Sequence, residues 1–343
     1  MPATSTTSKT LERAWASLAD EGKNGEGYYS VRVFAESACS IFVGQHQPSG
    51  LIDLSFEVKP DSVKKVSLHH EAKGFEVNVQ KAPTAPDKNL RRICITLNRK
   101  SFSELFKYLA ADIVGKCNMA KTEADAVQIL DARLDNWRRF LEKTGTDGLS
   151  TTLQTGLFGE LFFLRALLTK GVSSSCALNA WHGPLRENQD YCFGPMAVEI
   201  KASTSNNANC VSISNVRQLD DTGLENLYLY HASFDRREGS GETLKNSVDS
   251  LLSFFQKSGS ACEDMFESLL ITQGYHHCQS HLYDLAGYTL RNQQLYEVKE
   301  GFPRITESDL TEGVVEARYK IDLSTAETFK KDLNQIIESK LLK

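Results

Sequence analysis

The sequence has few features of a secreted, membrane-spanning or zinc-binding protein. Its eight cysteines contain no C-x-x-C pair, a distribution that favours reduced, buried thiols over a disulfide framework or a zinc ribbon. No apolar run reaches the roughly 18 to 20 residues that a membrane-spanning helix needs. The first residues are polar and lack the apolar segment of a signal peptide. We therefore expect a cytoplasmic protein.

The chain also lacks an excess of positive charge. It has 39 Lys and Arg residues against 44 Asp and Glu residues, a net charge of −5. This net charge is a poor match to a protein that coats nucleic acid nonspecifically, which usually has a strongly basic face. Small basic groups remain, and solvated surface is the more frequent role of any one of them. They are Arg91, Arg92, Arg99 and Lys100; Arg133, Arg138 and Arg139; and Arg236 and Arg237.

The length of 343 residues and an apolar content of 41% are enough for a sizeable core, in two units or one elaborated domain. The glycine-containing segment at 145–148 is the best internal boundary. Residues 1–145 are predicted to form a mainly β unit for recognition or docking, with two trailing helices, and residues 149–343 a second domain. Strands are predicted at 28–34, 40–43, 51–58, 65–70, 75–79 and 93–97, and helices at 11–19, 103–114 and 124–143.

The second part alternates helices and strands, with no internal repeat. Helices are predicted at 153–168, 244–255, 262–271 and 326–342, and strands at 226–232, 288–298 and 314–321. Residues 210–219 are predicted to form a strand that runs into a short helix capped by Ser214 or Asn215. The last helix would carry an apolar stripe of Phe329, Leu333, Ile336, Ile337 and Leu341.

The most informative segment is a predicted hairpin at 190–201. A two-residue turn at Gly194-Pro195, with Gly first as a type II′ turn prefers, would set Asp190 opposite Glu199. Directly opposed carboxylates lie about 5 Å apart at Cβ and repel each other unless a cation lies between them. Mg²⁺, which takes one or two carboxylates and fills its other positions with water, fits this need. Strand alternation places Lys201 on the same face as Glu199.

A helix before this hairpin carries one more acidic residue. Leucines repeat at helical spacing from 153 to 168, and Glu160 falls on or beside their stripe. A carboxylate there should be paired, protonated or bound to a metal, and Arg165 is one candidate partner. Gly156 and Gly159 each weaken a helix interior by roughly 1 kcal/mol, so we expect another backbone or a ligand to approach that face.

An Asp followed by Glu-x-Lys on adjoining strands resembles the PD-(D/E)xK nuclease superfamily, although Gln189 stands where the motif has Pro. The whole chain resembles the uncharacterised "PD-(D/E)xK motif protein" family found near bacterial restriction and phage-defence genes. Its cues are residues 156–161 (GLFGEL), 181–184 (WHGP), 198–203 (VEIKAS), 303–305 (PRI) and 318–321 (RYKI).

The resemblance implies a restriction-endonuclease-like α+β core, a mixed sheet flanked by helices, and a metal-dependent DNA endonuclease. Asp190 and Glu199 would hold Mg²⁺, for which Mn²⁺ can substitute, and Lys201 would assist the attacking water. Glu160 would bind a second ion or a metal-bound water, and Gln218 would position the nucleophile or a phosphate. The implied partners are DNA, an ATPase, helicase or methyltransferase of a defence operon, and a second copy of the chain.

Several alternatives stay open. Glu-x-Lys occurs six times, and the triplets at Glu57/Lys59 and Glu297/Lys299 are real rivals because Asp53 and Asp284 precede them. A group of histidines and a cysteine at 276–281 has spacing that could hold a metal, although ordinary packed or polar roles are more frequent. The alternative function is a non-catalytic subunit that keeps a nuclease-like core to bind DNA or a partner, and an RNA nuclease is a third possibility.

Overall fold

The computed structural model describes residues 2–22, 25–64, 66, 68, 72–83, 89–185, 188–205 and 209–341. The chain forms two compact units, Met1–Gly148 and Leu149–Lys343. Within the described ranges, no helix has both the length and the apolar character needed to cross a membrane.

The first unit is a five-stranded antiparallel sheet with helices. Its strands are β1 (Gly27–Val33), β2 (Ser40–Gln47), β3 (Leu51–Val58), β4 (Phe75–Lys81) and β5 (Arg91–Leu97), in the order β1-β2-β3-β5-β4. Its helices are α1 (Pro2–Glu21), the short α2 (Pro60–Val63), α3 (Ser103–Cys117) and α4 (Glu123–Thr144). Five predicted strands and all three predicted helices are confirmed, most of them longer than predicted. The predicted strand at 65–70 lies largely outside the described residues.

The central strand β3 separates an apolar face from a polar one, as period-two alternation requires. Leu54 and Phe56 are buried on the apolar face. On the polar face, the buried Glu57 carboxylate accepts a hydrogen bond of 2.6 Å from Arg92 Nη2, and the Arg92 guanidinium stacks over the Phe42 ring at 4.6 Å. Glu57 is therefore paired with a buried arginine, an ordinary structural environment for a buried carboxylate.

Asp53 lies on the same polar face and makes the first unit sensitive to pH. Tyr28 Oη donates to Asp53 Oδ1 at 3.1 Å, and His46 Nε2 lies 3.4 Å from Asp53 Oδ2. Burial raises the pKa of Asp53 to about 6, while Tyr28 and His46 oppose the rise. The fold therefore keeps this proton at pH values where the unfolded chain has lost it, so stability falls as pH rises through the folded pKa.

We expect Asp53→Asn to remove this loss of stability. In the wild type, raising the pH from about 4 to about 7 should lower the unfolding free energy by about 2 to 3 kcal/mol through this group. Urea unfolding of both proteins at the two pH values measures the effect. An equal pH dependence in wild type and variant would contradict the role of Asp53.

The second unit is built on a six-stranded mixed sheet. Its main path is β10 (Glu242–Thr243), β11 (Ala286–Val298), β9 (Asn226–Glu238), β7 (Met196–Ser203) and β6 (Tyr191–Phe193), and β13 (Lys330–Lys331) pairs with β11. β7 and β9 run parallel to each other. A separate antiparallel pair joins β8 (Cys210–Ile213) to β12 (Tyr319–Asp322). The helices are α5 (Thr151–Thr169), α6 (Ser174–Ala180), α7 (Leu244–Ser258), α8 (Ser260–Gln273) and α9 (Leu333–Ile336). The predicted α+β class is confirmed.

Alternate residues of β7 enter two separate cores. Val198 and Ile200 pack in a large core with residues of α5, α6, α7 and α8. Ala197 packs in a smaller core with β8, the 3-10 helix Val216–Leu219 and the C-terminal segment. Because Glu199 and Lys201 alternate with Val198 and Ile200, they lie on the face of the smaller core.

The predicted closing helix at 326–342 is wrong. The chain instead forms a 3-10 helix at Leu323–Phe329, the strand β13, the helix α9 and a π-helical turn at Ile337–Leu341. The physical reason is that the predicted stripe is divided between the two cores. Phe329 packs on Phe302 at 5.4 Å in the smaller core, whereas Ile337 is buried in the larger one. The predicted strand at 314–321 is likewise shortened to β12.

The two glycines of α5 have different surroundings. A Cβ on Gly159 would lie 2.4 Å from Ala202 Cβ, whereas a Cβ on Gly156 would meet no atom within 4 Å. The expected close approach of another backbone is therefore confirmed at Gly159, where helix and β7 touch. The structure gives no such reason for Gly156.

Candidate active site

The hairpin that carries the candidate site has the predicted register. Tyr191 pairs with Val198, Cys192 with Ala197, and Phe193 with Met196. Gly194 has φ of +63°, and Pro195 fixes a negative φ, the combination that a type II′ turn requires.

Asp190 directly precedes this ladder and is held by both its backbone and its side chain. Its carboxylate Oδ2 accepts a hydrogen bond of 2.7 Å from Ile200 N–H. Its backbone carbonyl accepts hydrogen bonds from the N–H groups of His182 and Gly183, at 2.8 and 3.0 Å. The carboxylate is thus tied to the strand that carries Glu199 and Lys201.

Glu199, Lys201 and Gln218 form a connected group. Lys201 Nζ lies 2.7 Å from Glu199 Oε1 and donates to Gln218 Oε1 at 3.0 Å. Gln218 comes from the 3-10 helix after β8, and the same oxygen accepts from the N–H and Oγ–H groups of Ser214 at 3.0 and 3.1 Å. Asn215, one of the two residues predicted to cap that helix, accepts a hydrogen bond from Arg217 N–H through its side chain. Gln218 therefore fixes the Lys201 ammonium.

The site has more negative than positive charge in a buried setting. Glu199 is 1% exposed, and its Oε2 atom has no hydrogen-bonding partner in the described part of the chain. Burial and the nearby Asp190 raise the pKa of Glu199 well above its ordinary value, with Lys201 opposing the rise. Burial likewise raises the pKa of Asp190, against the effects of Ile200 N–H, the Lys201 charge and a hydrogen bond with the Glu199 carboxyl group.

Lys201 stays a cation here despite its burial. Burial alone lowers the pKa of a lysine, but Glu199 and Asp190 outweigh this and raise the pKa of Lys201 above its ordinary value. One ammonium then faces two carboxylates. The remaining negative charge needs a proton or a further cation.

Glu160 is brought to the same place by α5, with partners that the sequence did not reveal. Trp181 Nε1 and Gln273 Nε2 each donate to Glu160 Oε2 at 2.7 Å. A Cβ on Gly183 would lie 2.6 Å from Glu160 Oε2 and 3.0 Å from Asp190 Oδ1, so the two carboxylates flank this glycine.

The guanidinium of Arg165, the candidate partner of Glu160, forms an ion pair of 2.7 Å with Glu242. Trp181 begins the 181–184 (WHGP) segment. The contact of its indole N–H with the Glu160 carboxylate depends on the folded structure. Gln273 lies 113 residues along the chain from Glu160 and had no local signal.

The remaining rivals have ordinary structural surroundings. Glu297 Oε2 lies 2.6 Å from Lys299 Nζ and 3.3 Å from Lys331 Nζ in a partly exposed ion pair. Asp284 accepts from Thr243 Oγ1 at 3.2 Å. In the 276–281 group, His276 Nδ1 lies 3.0 Å from Cys278 Sγ and also accepts the Cys278 N–H.

A divalent cation fits the Asp190 and Glu199 pair. In the described ranges, no three His, Cys, Asp or Glu side chains already stand in the arrangement of a metal site. A Mg²⁺ ion, however, needs only one or two carboxylates and keeps several waters. The donor set matches this chemistry, and the buried Glu199 Oε2 that lacks a hydrogen bond is the atom that such an ion would satisfy.

The comparisons with known proteins give one family. The model of a family described as "Putative PD-(D/E)XK family member, (DUF4420)" matches residues 11–324. No curated protein and no solved structure matches the chain.

Proposed function

Since the chain belongs to this PD-(D/E)XK family, we propose that it is a metal-dependent phosphodiesterase that cleaves DNA as an endonuclease. The observation that carries the proposal is the buried Glu199 Oε2 atom without a hydrogen bond, beside Asp190 and in a carboxylate whose other oxygen is paired with Lys201. A buried polar atom without a partner costs free energy in the fold, and a bound metal ion would remove that cost.

Asp190 and Glu199 would hold Mg²⁺, with Mn²⁺ as a substitute. The bound ion would supply a Lewis acid for the phosphate oxygens and a more acidic water. Lys201 would supply a fixed positive charge where negative charge develops on the phosphate oxygens in the transition state. Such electrostatic stabilisation is usually the largest single contribution to catalysis. Gln218 fixes the position of that ammonium. Glu160, held by Trp181 and Gln273, is a further ligand for the ion or its water in this proposal.

The test is cleavage of supercoiled plasmid DNA, with an RNA of similar length in parallel, in Mg²⁺, in Mn²⁺ and in EDTA. We expect cleavage with either metal, none in EDTA, and a loss of roughly 10³-fold in Lys201→Ala because its charge acts on the transition state. The control is Lys299→Ala, which removes the lysine of the exposed rival triplet and should retain full activity.

Full activity in a folded Lys201→Ala protein would reject the assignment. A folded wild type that binds DNA but never cleaves it would instead support the non-catalytic subunit. Cleavage of the RNA alone would change the substrate class and keep the site.

A further inference from the structure

The exposed side chain of Arg217 lies beside the candidate site and takes no part in the proposed chemistry. Arg217 precedes Gln218 in the 3-10 helix Val216–Leu219. Its carbonyl oxygen accepts a hydrogen bond of 2.9 Å from Gln189 Nε2, and Gln189 is the buried neighbour of Asp190. The backbone of Arg217 is therefore tied to both halves of the site, while its side chain remains 57% exposed.

The Arg217 guanidinium is held by an acid from the C-terminal part of the chain. Its Nε atom forms a short ion pair with Glu307. The segment that carries Glu307 is firmly docked, because Arg304 donates to Leu219 O at 2.7 Å and to the Asp221 carboxylate at 2.9 Å. The backbone that carries Glu307 is thus held in place beside Arg217 by these hydrogen bonds.

The same segment is also connected to the group around Lys201. Ile305 N–H donates to Tyr319 Oη at 3.1 Å, and Tyr319 of β12 pairs with Ile213 of β8. The next residue, Ser214, donates to the Gln218 oxygen that also accepts from Lys201. The Glu307 segment is therefore held against the element that positions the Lys201 ammonium.

An exposed ion pair of this kind is weak and exchangeable. Such pairs contribute little to stability, and a guanidinium binds phosphate as it binds carboxylate, through N–H donors held in a planar fork. Glu307 uses a guanidinium N–H donor that a phosphate oxygen also accepts from. It also repels that phosphate.

We infer that Arg217 binds a backbone phosphate of the nucleic-acid substrate beside the scissile position, and that Glu307 competes with this phosphate for the guanidinium. The inference rests on the proposed function for the identity of the ligand. It assigns the first substrate contact outside the Asp190, Glu199 and Lys201 group.

The test measures binding apart from cleavage, by fluorescence anisotropy of a labelled DNA duplex in EDTA at several salt concentrations. We expect Arg217→Gln to weaken binding about tenfold and to reduce the salt dependence by about one phosphate contact. Glu307→Gln should strengthen binding about two- to fivefold, as the loss of a weak competing pair allows. In the Arg217→Gln protein, the Glu307→Gln change should give no gain.

Asp249→Asn is the matched control. It removes one negative charge from an exposed ion pair with Lys245 on α7. The buried residues of α7 belong to the larger core, so this helix lies on the sheet face away from Lys201. If Asp249→Asn and Glu307→Gln strengthen DNA binding equally, the change in net charge alone explains the effect, and the inference is overturned. Unchanged binding in Arg217→Gln, or no measurable binding by wild type, would also overturn it.

Cleavage assays on the same proteins separate this inference from the proposed function. If the wild type cleaves DNA but the two variants bind as it does, only the Arg217 assignment fails. If the wild type never cleaves but the opposite effects of the two variants persist, the phosphate contact stands and the catalytic proposal fails.

Discussion

Glu199→Gln is expected to abolish metal-dependent cleavage and, at the same time, to stabilise the metal-free protein. The amide keeps the size of the side chain but cannot supply a charged ligand to the ion. We expect activity to fall by roughly 10³-fold or more, the scale of losing a main electrostatic contributor at the reacting centre.

The gain in stability follows from the raised pKa of Glu199. Burial and Asp190 raise that pKa, so the folded state binds a proton more tightly than the unfolded state does. The contribution of this group to stability is present at low pH and is lost as pH rises through the folded pKa. The variant lacks this loss, so we expect it to be more stable than the wild type near pH 8 in EDTA.

Thermal unfolding with EDTA and with Mg²⁺ measures both halves of this prediction. Mg²⁺ should raise the Tm of the wild type, because it binds the native state and not the unfolded chain, and should leave Glu199→Gln unchanged. Glu297→Gln, in the exposed rival triplet, should behave like the wild type in cleavage and in its response to Mg²⁺. A metal-dependent rise in Tm that survives in Glu199→Gln would place the ion elsewhere.

Local patterns predicted the parts of this site that are close in sequence. The Gly194-Pro195 turn and strict alternation were enough for the register of β6 and β7, because both are determined within a dozen residues. The same reasoning put Lys201 on the face of Glu199. It could not show that Glu199 Oε2 is left without a hydrogen bond, since that depends on every element packed around it.

Contacts between distant segments were beyond the sequence. Arg165 is the candidate partner of Glu160 that the sequence offers, whereas the structure places two neutral donors on this carboxylate, one of them from α8. The closing helix failed for a related reason. Its apolar residues have helical spacing, but Phe329 and Ile337 enter cores on opposite faces of one sheet, and no single helix can serve both.

The rival triplets show what separates one Glu-x-Lys from another. Glu57 is neutralised by Arg92 and Glu297 by two exposed lysines. Only Glu199, of these three, combines burial with a second carboxylate and a carboxylate oxygen that lacks a partner in the described chain. The three triplets therefore differ in the surroundings of the glutamate. The sequence indicates these surroundings only through the residues near each triplet.

The two glycines of α5 give the second large expected effect, with opposite signs on one helix. Ala is normally favoured over Gly in a helix by roughly 1 kcal/mol, and Gly156→Ala should gain about that amount because its Cβ meets open space. Gly159→Ala should instead lose about 1 to 3 kcal/mol, since its Cβ would lie 2.4 Å from Ala202 Cβ and helix and strand must separate.

Chemical denaturation of the two single variants checks the signs, and cleavage assays check the consequence for the site. Ala202 follows Lys201 on β7, so a strand displaced by Gly159→Ala carries the ammonium with it, and a displacement of about 1 Å can cost about 10²-fold in rate. The double variant Gly159→Ala with Ala202→Gly moves the methyl group from the strand to the helix and should recover most of the lost stability and activity. If Gly159→Ala stabilises the protein as Gly156→Ala does, helix α5 and β7 are not in the contact described here, and the placement of Glu160 beside Asp190 fails with it.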